Sequence, residues 1–419
     1  MKGRQQFMNI TVVAGYFPPE QSADSRLNQD LVESLAEHGM HVTLLVPFPT
    51  RGVSRDTQAE FISKRDEQRS EYLRIVRVGK PGNYYQSLLK RALSFLQKSI
   101  QLWGAAKKTN ADVYLIVSTP PFLGYVAALL ARKKPVVYKL QDIFPDSLIH
   151  SKQLTEQDLL IRLLRKLEQW VYRSATKIVT SSEDMKATLV ARGVPDHKIA
   201  VIYDWVDEKK CYPIPKEDNP LVHKFQLSPK DFHVCYAGNI GLLQNIGTIV
   251  RAAELLQEKA PDIQFLIIGE GAWKAELDKI LAEIPHKNIH CFPMQPVEDI
   301  AAVYSLGDIG LVSLRPDITR FALPSKTWDV LSAGRPVICE IDRHSRLGAI
   351  IESNCCGSVV APGDAEGLAA CIFHLYERQD EAKVMGQRGR TFIENHLTRQ
   401  IATDQYYEQL CSLLLKEHL

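Results

Sequence analysis

Apolar runs and amphipathic stretches alternate along this chain in a strand–helix–strand order. Residues 9–14 are mostly apolar, as expected for a parallel strand buried on both faces. A turn at residues 15–23 leads into an amphipathic stretch that reaches His38, and Gly39 is a stop signal for a helix. Residues 42–46 form the next apolar run. This pattern predicts a βαβ unit whose first loop lies at the carboxyl end of a strand, where α/β folds bind ligands.

The same alternation continues and predicts two α/β series. In the first we expect strands at 73–78, 112–118, 135–140, 177–181 and 199–203, and helices at 88–108, 156–173 and 183–192. In the second we expect strands at 233–237, 263–268, 288–292, 309–314, 337–341 and 358–360, and helices that include 246–257, 273–283 and 297–306. Strands that alternate with helices form doubly wound parallel sheets, so the predicted fold class is α/β with two Rossmann-like domains.

Two segments interrupt the alternation. Residues 51–69 are rich in charge, and we expect a mobile loop that shapes a binding site. Residues 204–207 precede Pro213, Pro215 and Pro220, a spacing typical of a linker. We therefore predict domains at 1–205 and 206–395, with a terminal segment at 396–419 that contains a last helix at about 398–415.

The predicted helix at residues 88–108 has a broad apolar stripe and basic flanks. Residues 72–111 contain no acidic residue, whereas their basic residues are Arg74, Arg77, Lys80, Lys90, Arg91, Lys98, Lys107 and Lys108. One interpretation is a helix that lies on an anionic membrane surface. The other, equally consistent with the pattern, is a crossover helix packed on its own sheet with solvated lysines.

Length and composition agree with two globular domains. The chain has 419 residues, which exceeds one ordinary core, with 45% hydrophobic and 24% charged residues. A net charge of +2 argues against a nucleic-acid partner. No apolar run is long enough to span a bilayer, and residues 1–6 do not resemble a secretory signal. The 8 cysteines, all from Cys211 onward and without a C-x-x-C pair, favour reduced thiols and a cytoplasmic location.

The most informative stretch is residues 320–338, which predicts a loop, a short helix and a buried strand. Pro324 can begin a helix, and Ser325 and Lys326 then occupy its first turn, where unpaired N–H groups attract anions such as phosphate. Asp329 follows Lys326 by one turn, close enough to share a ligand. Gly334 ends the helix.

Leu-Pro-Ser-Lys at residues 323–326, an acidic residue and then Ala-Gly-Arg-Pro-Val at 333–337 resemble the donor-binding segment of glycosyltransferase family 4. The resemblance implies a GT-B fold, in which two Rossmann-like domains face a central cleft and the last helix crosses back to the first domain. It also implies a retaining transferase that uses a nucleotide-sugar.

Two segments of the first domain extend this resemblance to the acceptor side. Tyr-Phe-Pro-Pro-Glu at residues 16–20 resembles the family's opening segment, although Gln21 and its two successors replace the usual glycines. Residues 141–147 resemble the acceptor-side loop of bacterial lipopolysaccharide and capsule transferases. Glu20, Gln21 and Asp142 are the implied acceptor-side residues. Asp142 follows a strand, so it can contact a sugar or accept a proton, or instead cap the next helix.

The predicted donor site combines three loops at carboxyl ends of strands in the second domain. Its residues are Gly238, Asn239, Ile240, Gln244, Gly269, Glu270, Leu323, Pro324, Ser325, Lys326 and Asp329. Two departures from the family stand out. Asn239 and Gln244 are neutral where many members have Arg and Lys, and Phe321 falls at the first of two glutamate positions, of which Asp329 matches the second.

The resemblance implies a hexosyltransferase that moves sugar from a nucleotide-sugar, UDP-linked rather than GDP-linked, to a glycan acceptor, lipid-linked at the inner face of the plasma membrane. Asp142, Lys326 and Asp329 are its candidate catalytic residues. No residue cluster demands a metal or cofactor, and we expect none. The alternatives are a GT-B sugar-nucleotide epimerase or phosphorylase, and a degenerate transferase that acts as a partner subunit.

Overall fold

Two units make up the fold, and each is built around its own sheet. The computed structural model describes residues 8–50, 52–82, 88–150, 155–283 and 287–415. The first unit contains the described residues up to Ile149, those from 155 to Asp204, and those from Gln400 onward. The second contains Trp205–Arg399 and His150.

The first unit contains an eight-stranded sheet flanked by helices. Its strands are β1 (Asn9–Val13), β2 (His41–Pro47), β3 (Asp66–Gln68), β4 (Leu73–Val78), β5 (Val113–Val117), β6 (Val136–Leu140), β7 (Lys177–Thr180) and β8 (Ile199–Val201). Its helices before the second unit are α1 (Ala23–Glu37), α2 (Arg55–Ser63), α3 (Leu88–Ala106), α4 (Leu123–Leu130), α5 (Asp146–His150), α6 (Leu159–Ser174) and α7 (Glu183–Ala191). The order is β3-β4-β2-β1-β5-β6-β7-β8, parallel except for β3 against β4.

Buried strands and capped helices explain this arrangement. All five residues of β5 and of β6 are buried, as continuous apolar runs in a sheet covered on both faces require. Ser22 and Ser182 cap α1 and α7, because each hydroxyl accepts a hydrogen bond from the backbone N–H three residues later. The parallel order brings the ends of β1, β5 and β6 to one edge of the sheet.

The second unit repeats the design with six parallel strands. They are β9 (Phe232–Ala237), β10 (Ile263–Ile268), β11 (Ile289–Phe292), β12 (Ile309–Ser313), β13 (Val337–Glu340) and β14 (Gly357–Val360), in the order β11-β10-β9-β12-β13-β14. The helices are α8 (Pro220–Lys224), α9 (Ile246–Gln257), α10 (Lys274–Glu283), α11 (Ile300–Tyr304), α12 (Lys326–Ser332), α13 (Arg346–Ser353), α14 (Ala365–Glu377) and α15 (Gln379–His396). The apolar core lies between the sheet and α9, α10 and α14.

The last helix, α16 (Arg399–Leu415), packs against α1 of the first unit. Ser34 Oγ donates to Thr403 Oγ1 at 2.7 Å in a buried contact. His38 stacks on Tyr407 with ring centroids 4.7 Å apart, and its Nε2 lies 2.9 Å from Asp404 Oδ1. These contacts fix the end of the chain to the unit in which it began.

The structure corrects several predicted elements. Residues 51–69, expected to be a mobile loop, contain α2 and β3, because Ser54 caps a helix and β3 pairs with β4. The single helix expected at 297–306 is a 3₁₀ turn, Val297–Asp299, followed by the shorter α11. Besides α2, the helices for which no range was predicted are α4, α5, α8, α13, α14 and α15. The strands match their predictions to within two residues at each end.

Candidate functional site

Two glycine loops pack backbone against backbone at the carboxyl edge of the second sheet. Gly238 follows β9 with φ at 128°, and Gly269 follows β10 with φ at 153°. A Cβ on Gly269 would lie 1.9 Å from the Gly238 carbonyl oxygen, so only glycine fits there. The Ile240 N–H donates to the Glu270 carbonyl at 2.9 Å, and this bond joins the two loops.

Lys326, the first residue of α12, points at this glycine loop. Its Nζ donates to Tyr236 Oη at 2.8 Å and lies 3.9 Å from the centroid of the tyrosine ring. A Cβ on Gly238 would lie 2.8 Å from the same nitrogen. Burial lowers the pKa of Lys326 to about 7, although Asp329 opposes the shift. A desolvated cation beside a glycine turn is suited to an anionic ligand.

Asn239 and Gln244 stabilise the first glycine loop from within. Gln244 Oε1 accepts from the Gly241 N–H at 3.1 Å and from Asn239 Nδ2 at 3.4 Å. Tyr236 Oη donates to the Asn239 carbonyl at 2.6 Å. The Gly238 N–H is also bonded within the protein, to the Ile268 carbonyl at 2.9 Å. The loop therefore supplies little free donor capacity, and Lys326 supplies the charge.

The other predicted donor residues occupy different environments. The Glu270 side chain is exposed, whereas Ile240 is buried and contributes only its backbone. Asp329 is buried in α12, and its charge acts on Lys326. Leu323, Pro324 and Ser325 are half-buried in the approach to α12, where the Pro324 carbonyl accepts from the Thr327 N–H at 3.0 Å.

Sequence reasoning missed Tyr236 and the buried Glu340. Glu340 ends β13, where it accepts from Ser313 Oγ at 2.6 Å, from Asn245 Nδ2 at 2.7 Å and from the Gly363 N–H at 2.6 Å. Burial raises the pKa of this carboxyl, and these hydrogen bonds oppose the shift. Glu340 ties three loops of the carboxyl edge together. The sequence signal for Glu340 was a charged residue at the end of an otherwise apolar strand.

Asp142 lies among carboxylates at the carboxyl edge of the first sheet. Gln141 Nε2 lies 3.4 Å from Asp24 Oδ1 and 3.3 Å from Asp204 Oδ1. The Asp142 side chain keeps solvent contact, but the surrounding protein desolvates it and raises its pKa to about 7, with Asp24 and Asp204 adding to the shift. α5 begins only at Asp146, so Asp142 is not its capping residue.

Lys139 lies in the same part of the first unit and is almost fully buried. Burial lowers its pKa, whereas the charges of Asp204, Asp24 and Asp30 raise it. Its Nζ lies 5.7 Å from the centroid of the Tyr406 ring. A lysine inside the apolar run of β6 was a signal of this cluster that sequence reasoning overlooked.

Glu20 and Gln21, predicted on the acceptor side, differ in exposure. Glu20 is buried, and its Oε1 accepts from the Thr50 N–H at 2.8 Å. Gln21 is exposed in the turn before α1. Glu20 therefore anchors the turn after β2, and Gln21 is the better placed of the two to meet a ligand.

The side chains of α3 differ in burial from one face of the helix to the other. Leu102 and Ala106 are buried against the first unit, as in a crossover helix. Leu93, Leu96 and Ile100 are exposed, at 58%, 41% and 58% of their surface. Lys90, Lys107 and Lys108 are exposed as well, and Lys107 Nζ lies 4.6 Å from the Trp103 ring centroid.

Metal ligands and membrane spans can be stated only for the part of the chain that the structure describes. There, no three His, Cys, Asp or Glu side chains group together as metal ligands. No described helix is both long and apolar enough to cross a bilayer.

Comparisons with known proteins agree with the geometry of both units. Residues 25–210 match the family model Glycosyltransferase Family 4, and residues 231–378 match the model Glycosyl transferases group 1. The probable glycosyltransferase WbjE of Pseudomonas aeruginosa is 26% identical over 333 residues, which cover 78% of this chain and 81% of WbjE. The putative colanic acid biosynthesis glycosyl transferase WcaI of Escherichia coli (strain K12) is 23% identical over 402 residues, 93% of this chain and 94% of WcaI.

Solved structures share the fold across nearly the whole chain. Sucrose-phosphate synthase from Thermosynechococcus elongatus superposes with a TM-score of 0.76 at 18% identity and covers 97% of this chain and 99% of its own. Anabaena HepE in complex with UDP-glucose superposes with a TM-score of 0.70 at 14% identity, and the match covers 97% of this chain and 100% of HepE. Two parallel-sheet α/β units with these matches define a glycosyltransferase of the GT-B fold. Both units thus match glycosyltransferase family models, which bears out the resemblance to glycosyltransferase family 4, and the predicted GT-B fold is confirmed.

Proposed function

We propose that this glycosyltransferase transfers a hexose from a UDP-sugar to a glycan acceptor in surface polysaccharide biosynthesis. The observation that carries the donor proposal is the Lys326 ammonium beside Gly238. The choice of UDP is supported by HepE, whose structure holds UDP-glucose. The polysaccharide assignment is supported by WcaI, which is described as acting in colanic acid biosynthesis.

Lys326 would stabilise the leaving nucleoside diphosphate. As the bond between the sugar C1 and the phosphate oxygen breaks, negative charge develops on the diphosphate, and a pre-positioned cation in a desolvated site stabilises it. The glycine loop allows close approach, but its bonded N–H groups leave the charge to Lys326. Asp329 would then accept hydrogen bonds from the ribose hydroxyls.

Asp142 would serve the acceptor. The acceptor hydroxyl forms the new bond to C1 and loses its proton, either to Asp142 or to the departing phosphate. A carboxyl with a pKa of about 7 can accept and release that proton near neutral pH. We infer retention of configuration from the family, with positioning and leaving-group electrostatics as the protein's main contributions.

A lipid-linked acceptor at the inner face of the plasma membrane is the acceptor we favour. The exposed face of α3 presents Leu93, Leu96, Ile100 and Lys90, and the exposed Lys107 and Lys108 follow directly after the helix. This composition suits an anionic bilayer surface. Lys98 is not part of this surface. Its side chain is half-buried, and burial lowers its pKa while Glu20 opposes the shift.

A thermal stabilisation screen tests the proposal. A bound donor raises the free energy of unfolding by roughly 2.7 kcal/mol at a hundred times its dissociation constant. We expect UDP-sugars to raise the melting temperature more than GDP-sugars, and to do so equally in EDTA, because transfer is proposed to need no metal. Stabilisation by no nucleotide would favour a non-catalytic partner subunit. Turnover of the donor without an acceptor would favour an epimerase.

A further inference from the structure

A cavity of about 500 Å³ opens at the amino edge of the second sheet, opposite the glycine loops. Phe232 begins β9, and Asp308 and Pro336 immediately precede β12 and β13, so all three mark this edge. α15 forms the other wall. The six residues of β9 span roughly 20 Å, and this length separates the cavity at Phe232 from Gly238 at the other end of the strand. Its volume lies within the range of small-molecule sites, about 300–1,000 Å³.

Three cationic side chains line the cavity, and two of them have carboxylate partners on α15. Arg335, Lys383 and Arg390 line it, whereas its one lining carboxylate, Asp308, accepts from Lys216 Nζ at 2.5 Å. Arg390 is held by the Cys211 and Ser332 carbonyls, each 2.9 Å from its Nη1, and its Nε donates to Glu394 Oε1 at 2.7 Å. Lys383 stands at the rim with 70% of its side chain exposed, and its Nζ lies 3.3 Å from Asp380 Oδ1.

Arg335 is the cation best placed to bind a ligand. Its Nη2 donates to the carbonyls of Ile214 at 2.8 Å and Ser305 at 3.0 Å. Its Nη1 and Nε have no hydrogen-bond partner in the part of the chain that the structure describes, and no described carboxylate lies within 4.0 Å of the guanidinium. Two contacts thus fix the group through Nη2. Nε is buried, so Nη1 is the donor that a ligand in the cavity can reach.

The cavity also touches the end of the helix that carries Lys326. Arg335 follows Gly334, at the C-terminal end of α12. A Cβ on Gly386 of α15 would lie 2.1 Å from the Gly334 carbonyl oxygen, so α15 and this turn are in direct backbone contact. A ligand held between Arg335 and α15 therefore presses on the segment that sets the position of α12.

We propose that this cavity binds a small phosphorylated polyol, such as a sugar phosphate, and that its occupancy changes donor affinity through α12. The Nη1 group of Arg335 can donate a charge-assisted hydrogen bond to a phosphate dianion, and Lys383 at the rim is a second cation within the lining. Gln379, Gln387 and Thr391 line the same cavity and can bond hydroxyl groups. Binding requires neither the donor nor transfer, so it is independent of the proposed function.

Calorimetry on the full chain with glucose 6-phosphate tests the site. We expect saturable binding that weakens at least about 10-fold in Arg335→Gln, because a hydrogen bond to a charged group is lost. Lys383→Gln should weaken it by a smaller factor, and Arg388→Gln, an exposed change on α15 outside the cavity, should not. Neutral glucose should not bind, and inorganic phosphate should bind more weakly.

The coupling is measured as the dissociation constant of UDP with and without saturating glucose 6-phosphate. It should change several-fold in the wild type and remain constant in Arg335→Gln, because coupling between two sites is reciprocal. Absence of saturable glucose 6-phosphate binding would overturn the proposal, as would binding unchanged in both cavity variants. If circular dichroism shows that Arg335→Gln does not fold, Lys383→Gln decides: unchanged affinity in that variant contradicts the site.

Discussion

Lys326 Nζ donates to Tyr236 Oη at 2.8 Å, and the tyrosine ring centroid lies 3.9 Å from the same nitrogen. The phenol in turn donates to the Asn239 carbonyl at 2.6 Å. The charge of Lys326 is therefore held against a glycine loop by a neutral partner. Among the described residues it forms no salt bridge, so the ammonium remains available to a bound diphosphate.

The first prediction concerns pH and donor affinity. Burial lowers the pKa of Lys326 to about 7, from the usual 10.5. A bound diphosphate favours the charged amine and raises that pKa, so binding takes up a proton above pH 7. UDP-glucose affinity should be constant below about pH 6 and fall as pH rises above 7, by up to about 10-fold per unit. Calorimetry across pH 6–9 measures this.

Lys326→Arg serves as the control for that titration. Arginine stays charged throughout the range, so its variant should show no alkaline decline, whatever its absolute affinity. A wild-type affinity that is flat from pH 6 to 9 would show that Lys326 does not contact the diphosphate.

The second prediction concerns Asp142 and transfer. Its pKa of about 7 means that the carboxylate forms as pH rises through neutrality. If it accepts the acceptor proton, kcat at saturating donor, where the bound diphosphate keeps Lys326 charged, should rise across pH 6–8 in the wild type. Asp142→Asn should lose that rise and reduce turnover by roughly 10²–10⁴-fold. Asp56→Asn, an exposed change in the same unit, should keep both the pH-dependent rise and the turnover of the wild type. An unchanged pH profile in Asp142→Asn would contradict the role of Asp142 as proton acceptor.

The third prediction concerns the exposed face of α3. Replacing Lys90, Lys107 and Lys108 by Gln should release the protein from anionic vesicles, because each basic residue near such a surface contributes about 1 kcal/mol. Co-sedimentation in rising salt measures it, since salt screens the attraction. Equal binding of the wild type to neutral and anionic vesicles would refute the electrostatic contact. A matched control replaces three exposed cations of the second unit, Lys230, Lys279 and Arg388.

The fourth prediction concerns the contact between the glycine loops. Gly269→Ala places a Cβ 1.9 Å from the Gly238 carbonyl oxygen at a φ of 153°. We expect a loss of about 3 kcal/mol or more in the free energy of unfolding, measured in urea. Gly247→Ala in α9 meets nothing closer than 3.8 Å and should stabilise by roughly 0.5–1 kcal/mol. Similar stability of the two variants would contradict the close packing.

Sequence periodicity predicted the strands well because both sheets are buried on two faces. The apolar runs of β5 (Val113–Val117) and of residues 265–268 in β10 are typical of buried parallel strands. The segment around α2 was misread because its residues are mostly polar and its helix depends on a cap at Ser54. Charge density was taken there as evidence of a loop, although exposed helices are equally polar.

The donor-side residues could be listed from the sequence, but their roles could not. Gln244 appeared to be a neutral replacement for a phosphate-binding cation, whereas in the structure it bonds the Gly241 N–H. Tyr236 lay hidden in the apolar run of β9, because a tyrosine in a buried strand looks like an ordinary core residue. Its contact with Lys326 joins residues 90 positions apart, and no local pattern encodes such a pair.

The most direct test of the central claim is the affinity for UDP, the part shared by all UDP-sugars. Calorimetry compares the wild type with Lys326→Ala and with Lys279→Ala, an exposed lysine on α10, after circular dichroism confirms that all three fold. We predict that Lys326→Ala weakens UDP binding about 10- to 100-fold, the effect of losing a charged hydrogen bond, and that Lys279→Ala leaves it unchanged. A folded Lys326→Ala protein that binds UDP as tightly as the wild type would contradict the claim that this lysine holds the diphosphate.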